Sequence, residues 1–240
     1  MANTRETLQL GLSHHKAGRL DDAVRIYRDV LTAEPASADA LHLLGFALHQ
    51  SGNSEEAVTL IEKAIAASPF NAAYRLSLAE VCGATGRLDQ ALSAYRAVLE
   101  MTPNNPELLA NLGFMLSLMG RSSEAEDYYR RALTLNPSSA ELHLMLGVVL
   151  KEQGDLEGAL AAYRRTLELE PDNAKAHANI GTVLQLQKKP DDALKAYGRA
   201  YRLQPSFHRQ ILQHISSMGN GSMWLDLDRS RKDLAGDTVP

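Results

Sequence analysis

Several things are scarce in this chain. Cysteine occurs once, as Cys82, so neither an internal disulfide framework nor a cysteine-rich zinc site can be built. Aromatic residues make up 5% of the 240 positions, with one tryptophan. An apolar fraction of 45% must then pack mainly as alanine and leucine, which helices tolerate and β-sandwiches rarely do. Excess positive charge is missing: a net charge of −4 removes the basic footprint of a nucleic-acid binder. No stretch reaches the roughly 18–20 apolar residues needed to cross a bilayer, so membrane insertion is not expected. Met1-Ala2-Asn3-Thr4-Arg5-Glu6 has no basic start followed by an apolar segment, as a secretory leader would. Ala2 excludes myristoylation, and the Val-Pro end is no prenylation box. The expected location is the cytoplasm.

What is present is periodic. Pro35, Pro69, Pro103, Pro137, Pro171 and Pro205 are each 34 residues apart. Gly11, Gly45, Gly113, Gly147 and Gly181 follow the same period, with Ala79 in the gap. A second series, Gly18, Gly52, Gly86, Gly120 and Gly154, ends at Lys188. Ala23, Ala57, Ala91, Ala125, Ala159 and Ala193 form an unbroken alanine series. Tyr27, Ile61, Tyr95, Tyr129, Tyr163 and Tyr197 form an aromatic one.

Each unit holds two apolar stretches with helical spacing, such as Leu41/Leu44/Leu48 and Ala57/Leu60/Ile61/Ala64. Small residues in the first glycine series and the alanine series let the two helices of a pair approach. The second glycine series ends the first helix, where a left-handed residue is wanted. Ser54 and Ser122 stand where an N-cap is expected, before Glu55-Glu56 and Glu124. The tyrosine series is expected to close the contact to the next pair. The prolines stop the second helix.

These markers resemble the tetratricopeptide repeat (TPR) family: a leucine-glycine pair, then an alanine, an aromatic and a terminal proline within one 34-residue unit. The pairs are Leu10-Gly11, Leu44-Gly45, Leu112-Gly113, Leu146-Gly147 and Ile180-Gly181. The resemblance covers repeats 4–37, 38–71, 72–105, 106–139, 140–173 and 174–207. It implies an all-α fold, a right-handed superhelix of six helix-turn-helix pairs. Where the family often carries a bulky aromatic near the start of the first helix, this chain has Thr7, Leu41, Arg75, Leu109, His143 and His177. A packing role is expected there for both histidines. After the repeats, Ile211, Leu212 and Ile215 share one helical stripe, so 208–217 reads as a capping helix. A tail, 218–240, follows, and its Met223-Trp224-Leu225 is either part of a mobile or folded-back segment or a docking element.

The resemblance also implies where ligands bind: on the concave face, in particular columns of the first helices. Those columns hold Leu8, His42, Leu76 and Leu144; then Leu12, Phe46, Glu80, Phe114, Val148 and Thr182; then His15, His49 and Lys151. The first two columns are largely apolar, which suggests a binding surface, the alternative being that neighbouring repeats cover Leu8, Leu76 and Leu144. Phe46 and Phe114 are the strongest candidates. The family's lysine-asparagine-arginine clamp on a terminal carboxylate is not reproduced. The asparagine ladder of the O-linked N-acetylglucosamine transferase branch survives only at Asn111 and Asn179, which can hold an extended peptide locally.

Other chemistry finds little footing. His14 and His15 are adjacent, and His42 and His49 are seven apart, about 10.5 Å along a helix, too far to share one ion directly. No metal or cofactor is expected, and the histidines read better as a weakly pH-sensitive rim. Cys82 occupies a core column with Leu48, Leu116 and Leu150. Gly219-Asn220-Gly221 lacks the context of a phosphate loop, and Asp226/Asp228 with Arg231 do not make a calcium loop. The expected function is a non-enzymatic adaptor or scaffold binding a protein segment in its groove. Two alternatives remain: the substrate-recruiting part of a glycosyltransferase or sulfotransferase system whose catalytic chain lies elsewhere, and a self-assembling scaffold.

Overall fold

The structure, a computed structural model, describes residues 4–207 together with 209 and 211. The described residues are all-α. The chain divides into two compact units, Met1–Met115 and Leu116–Pro240.

In the first unit, α1 (Thr4–Lys16) packs on α2 (Leu20–Ala33), α3 (Ala38–Gln50) on α4 (Ser54–Ala67), and α5 (Ala72–Ala84) on α6 (Leu88–Met101). Each pair rests on the next through α2 with α3 and α4 with α5. The first helices also touch one another, α1 with α3 and α3 with α5. The helix α7 (Pro106–Leu118) carries the boundary between the units, and α8 (Ser122–Leu135) follows it. In the second unit α9 (Ala140–Glu152) pairs with α10 (Leu156–Leu169), and α11 (Ala174–Leu186) with α12 (Pro190–Leu203). A 3-10 turn, Pro205–Phe207, packs against α12.

The periodic residues do most of what their chemistry dictates. Every turn glycine of the second series has a positive φ, from 71° to 90°. Lys188 takes the same place at φ 59°, where an L side chain is strained. Each residue just before a period proline is extended, from Glu34 at φ −132° to Gln204 at φ −144°. Proline's ring forbids the helical region to its predecessor, and the second helix therefore stops there. All six alanines of the unbroken series are fully buried.

One local expectation is corrected. Ser54 and Ser122 are not caps but the first helical residues. The turn glycine is followed by one further residue, and that residue is the N-cap: Asn53, whose side chain accepts from the Glu56 N–H, and Arg121, which makes no side-chain cap bond. The tyrosines contact the glycine of their own pair. A Cβ added to Gly147 would lie 2.5 Å from Tyr163 Cε1, and one on Gly181 2.6 Å from Tyr197 Cε1. The ring takes the space the missing side chain leaves. In the third repeat, where Ala79 replaces glycine, Tyr95 is only half-buried.

The expected capping helix, 208–217, and the tail around Trp224 lie outside the described residues apart from positions 209 and 211. Both of these are helical, and Ile211 is buried against Ala193, Tyr197 and Ala200.

Candidate functional site

In the first unit the side chains of α1, α3 and α5 interlock into one surface. Phe46 lies at its centre, its ring centroid 6.1 Å from that of His15 and 6.5 Å from that of His49. The His15 ring is 6.3 Å from Tyr27, and its Nε2 is 3.0 Å from Gln50 Oε1 on α3. His42 stacks on Tyr74 at 4.7 Å, with Nε2 2.8 Å from Ser77 Oγ on α5. Tyr74 donates its hydroxyl to Asp39 Oδ1 at 2.5 Å. His49 Nδ1 meets Ser54 Oγ at 2.9 Å.

Burial favours the neutral form of three groups on this surface, His42, Tyr27 and Tyr74. Desolvation pushes the His42 pKa below its ordinary value, against the pull of Asp39. Burial pushes Tyr27 up to about 12, and burial with the Asp39 bond does the same to Tyr74. The His42 imidazole therefore acts near pH 7 as an aromatic plate with hydrogen-bonding edges.

Around that centre, Leu8, Leu12, His15, His42, Phe46 and His49 are half-buried. Leu76 and Phe114 are 39% and 45% exposed. Glu80 and Asn111 are exposed. A large apolar side chain held in water by a rigid helix costs free energy that only a covering surface recovers.

The second unit differs. Leu144 was expected to project into the groove, but it is 6% exposed and forms part of the floor of an open cleft of about 680 Å³. Its neighbours there include Glu141, Met145, Asp172, Lys175 and Leu203. Val148, Lys151, Asn179 and Thr182 are half-buried. Thr182 is already engaged: its Oγ1 donates to the Ala178 carbonyl at 3.1 Å and accepts from the Tyr197 hydroxyl at 3.3 Å. Tyr197 also lies 2.9 Å from Gln185 Oε1.

The column read as packing does something more specific. Arg75 donates to the Pro69 carbonyl at 3.0 Å, His143 to that of Pro137 at 3.0 Å, and His177 to that of Pro171 at 3.1 Å. Each donor sits six residues beyond its proline and satisfies a carbonyl at the link between repeats. The sequence signal was available: polar donors alternate there with Leu41 and Leu109. Sequence reasoning also passed over Leu118 and Leu186, 54% and 56% exposed, and Phe70, 90% exposed in the link before α5. Apolar residues in otherwise polar columns were the clue.

Among the described residues no three His, Cys, Asp or Glu side chains converge to hold a metal. Cys82 is fully buried, and burial pushes its thiol pKa up, away from a reactive thiolate. No described helix is long and apolar enough to cross a membrane.

A stack of antiparallel helix pairs with a repeated small-residue contact defines a helical-repeat protein. The family comparisons name the repeat: tetratricopeptide repeat profiles match residues 14–81, 70–138, 119–174 and 149–206. This chain belongs to the TPR family and is an all-α TPR solenoid. A sequence comparison with curated proteins gives no match. Among solved structures, MamA AMB-1 is similar at 28% identity and TM-score 0.63, covering 70% of this chain and 92% of MamA. YrrB, a TPR protein with an unusual peptide-binding site, matches in fold at 22% identity and TM-score 0.64, covering 78% of this chain and 96% of YrrB. PilF of Pseudomonas aeruginosa does so at 21% identity and TM-score 0.66, covering 84% of this chain and 92% of PilF.

Proposed function

We propose that the chain is a non-enzymatic adaptor or scaffold of the cytoplasm that binds an apolar or amphipathic peptide segment on the face made by the first helices of its pairs. The observation that carries this reading is the exposure of Leu76 and Phe114, with half-buried Phe46 between two imidazoles, where core packing requires no large apolar side chain. Leu8, Leu12, His15, His42 and His49 extend that surface, and Glu80 and Asn111 supply polar groups beside it. In the second unit Val148, Lys151, Asn179 and Thr182 offer smaller and more polar contacts over the floor at Leu144. Such a surface follows the logic of peptide grooves, in which a few aromatic anchors supply most of the affinity.

The test is a pull-down with the intact protein beside the Phe46→Ala/Phe114→Ala variant, with each captured partner's affinity then measured. Loss of about tenfold or more is expected, the cost of removing two anchor side chains. Partners held equally well by both proteins would place the binding surface elsewhere.

A further inference from the structure

The column that places Phe46 on α3 and Phe114 on α7 places Glu80 between them on α5. The helices are neighbours: α3 touches α5, and a Cβ added to Gly83 of α5 would lie 3.4 Å from Met115 Sδ of α7. Glu80 is exposed and makes no hydrogen bond or ion pair among the described residues. Within the first unit the contact columns of α3, α5 and α7 hold one carboxylate, Glu80, and no lysine or arginine, and the first turns of α3 and α7 add Asp39 and Glu107. Asp39 is occupied by Tyr74. Arg75, the cation on α5, is turned to the Pro69 carbonyl. The imidazole of His42 is held neutral by burial. An apolar–acidic–apolar order on three adjacent helices is complementary to a ligand that is apolar, basic and apolar in turn.

We propose that the first unit selects a peptide carrying a lysine or arginine between two apolar residues, with the cation at Glu80 and the apolar side chains at Phe46 and Phe114. This rests on the peptide-binding reading above and adds the partner's charge. Helices in contact lie about 8–10 Å apart. An extended chain covers that distance in about three residues. The ligand's apolar residues therefore fall about six positions apart, with the cation midway. A carboxylate beside low-dielectric aromatic walls attracts a cation more strongly than one in open water, and repels an acidic competitor by the same reasoning.

The experiment uses the full-length protein and three synthetic peptides with two leucines six positions apart and lysine, alanine or glutamate midway, with binding read by fluorescence polarisation. The lysine peptide is expected to bind tightest and the glutamate peptide weakest, with the preference shrinking as salt is raised from about 50 to 300 mM. Glu80→Gln should weaken the lysine peptide about three- to fivefold and the alanine peptide by a clearly smaller factor. Glu80→Lys should invert the order, and circular dichroism verifies that both variants remain helical. Equal binding of all three peptides, abolished by Phe46→Ala/Phe114→Ala, would overturn the charge selection while leaving the apolar groove intact. Binding insensitive to both sets of variants would overturn the groove as well, and failure of every peptide to bind would overturn the proposed register.

Discussion

The two units are written in one repeat code and use it differently. In both, a column glycine receives a buried tyrosine ring, Gly11 with Tyr27 in the first and Gly147 and Gly181 with Tyr163 and Tyr197 in the second, but in the second Tyr197 is also tied to Thr182 and Gln185. In the first, the corresponding columns hold His15, Phe46, His49 and Glu80, and the third repeat trades its glycine for Ala79. The second unit ends these columns in a threonine and a glutamine bonded to one tyrosine. The first leaves aromatic and acidic side chains at the surface. A repeat keeps its fold through a handful of small and terminal residues, so the remaining columns are free to diverge.

That contrast can be broken first at the glycines. Gly147→Ala drives a methyl group into Tyr163, which is fully buried and has no open side to swing toward. A loss of about 1–3 kcal/mol is expected from urea unfolding. Ala79→Gly in the first unit removes no clash, because Tyr95 already stands further out. It should cost at most about 1 kcal/mol, from helix propensity alone. Equal effects at the two sites would mean that the rings adapt to the column residue and that the contrast is superficial.

The turn before α12 sharpens the comparison in the other direction. Lys188 holds the positive φ that glycine supplies at the equivalent turn after α9, Gly154. Lys188→Gly should stabilise the second unit by about 1 kcal/mol. An unchanged or lower denaturation midpoint would show that the lysine side chain offsets its own strain.

The smallest expected effect is on pH dependence. Burial lowers the His42 pKa in the first unit and the His177 pKa in the second. The unfolded chain, with histidine near 6.5, then binds more protons than the folded one. The stability contribution of each neutral imidazole is complete above that value and is lost as the pH falls through it. The denaturation midpoint should drop between pH 7.5 and 5.5, and His42→Gln and His177→Gln should each flatten part of the slope. A midpoint that rises on acidification would contradict the burial of both imidazoles.

The 34-residue period of prolines, glycines and alanines was legible without coordinates because each marker acts locally. Proline constrains its predecessor, the turn glycine takes a positive φ, and alanine admits a neighbouring helix at close range. The columns of the candidate surface were legible through the family resemblance. What each residue does within those columns was not. Leu144 and Leu76 stand in one column, yet one floors a cleft and the other is exposed to water, because the residues above them come from other helices. Arg75, His143 and His177 looked like awkward packing residues until the proline carbonyls six positions back proved to be their acceptors. The shift of the N-caps from Ser54 to Asn53 and from Ser122 to Arg121 is a one-residue matter that turn geometry decides.

Sequence by itself thus determined the succession of helices within residues 4–207, where proline and the turn residue stop them and the small residues at which they meet, since backbone sterics and helical spacing are properties of neighbours along the chain. Tertiary structure decided which column residues are buried and which stay exposed. Exposure, the desolvation of His42 and the absence of a hydrogen-bond or ion-pair partner for Glu80 among the described residues depend on side chains from separate helices, and no local rule contains them.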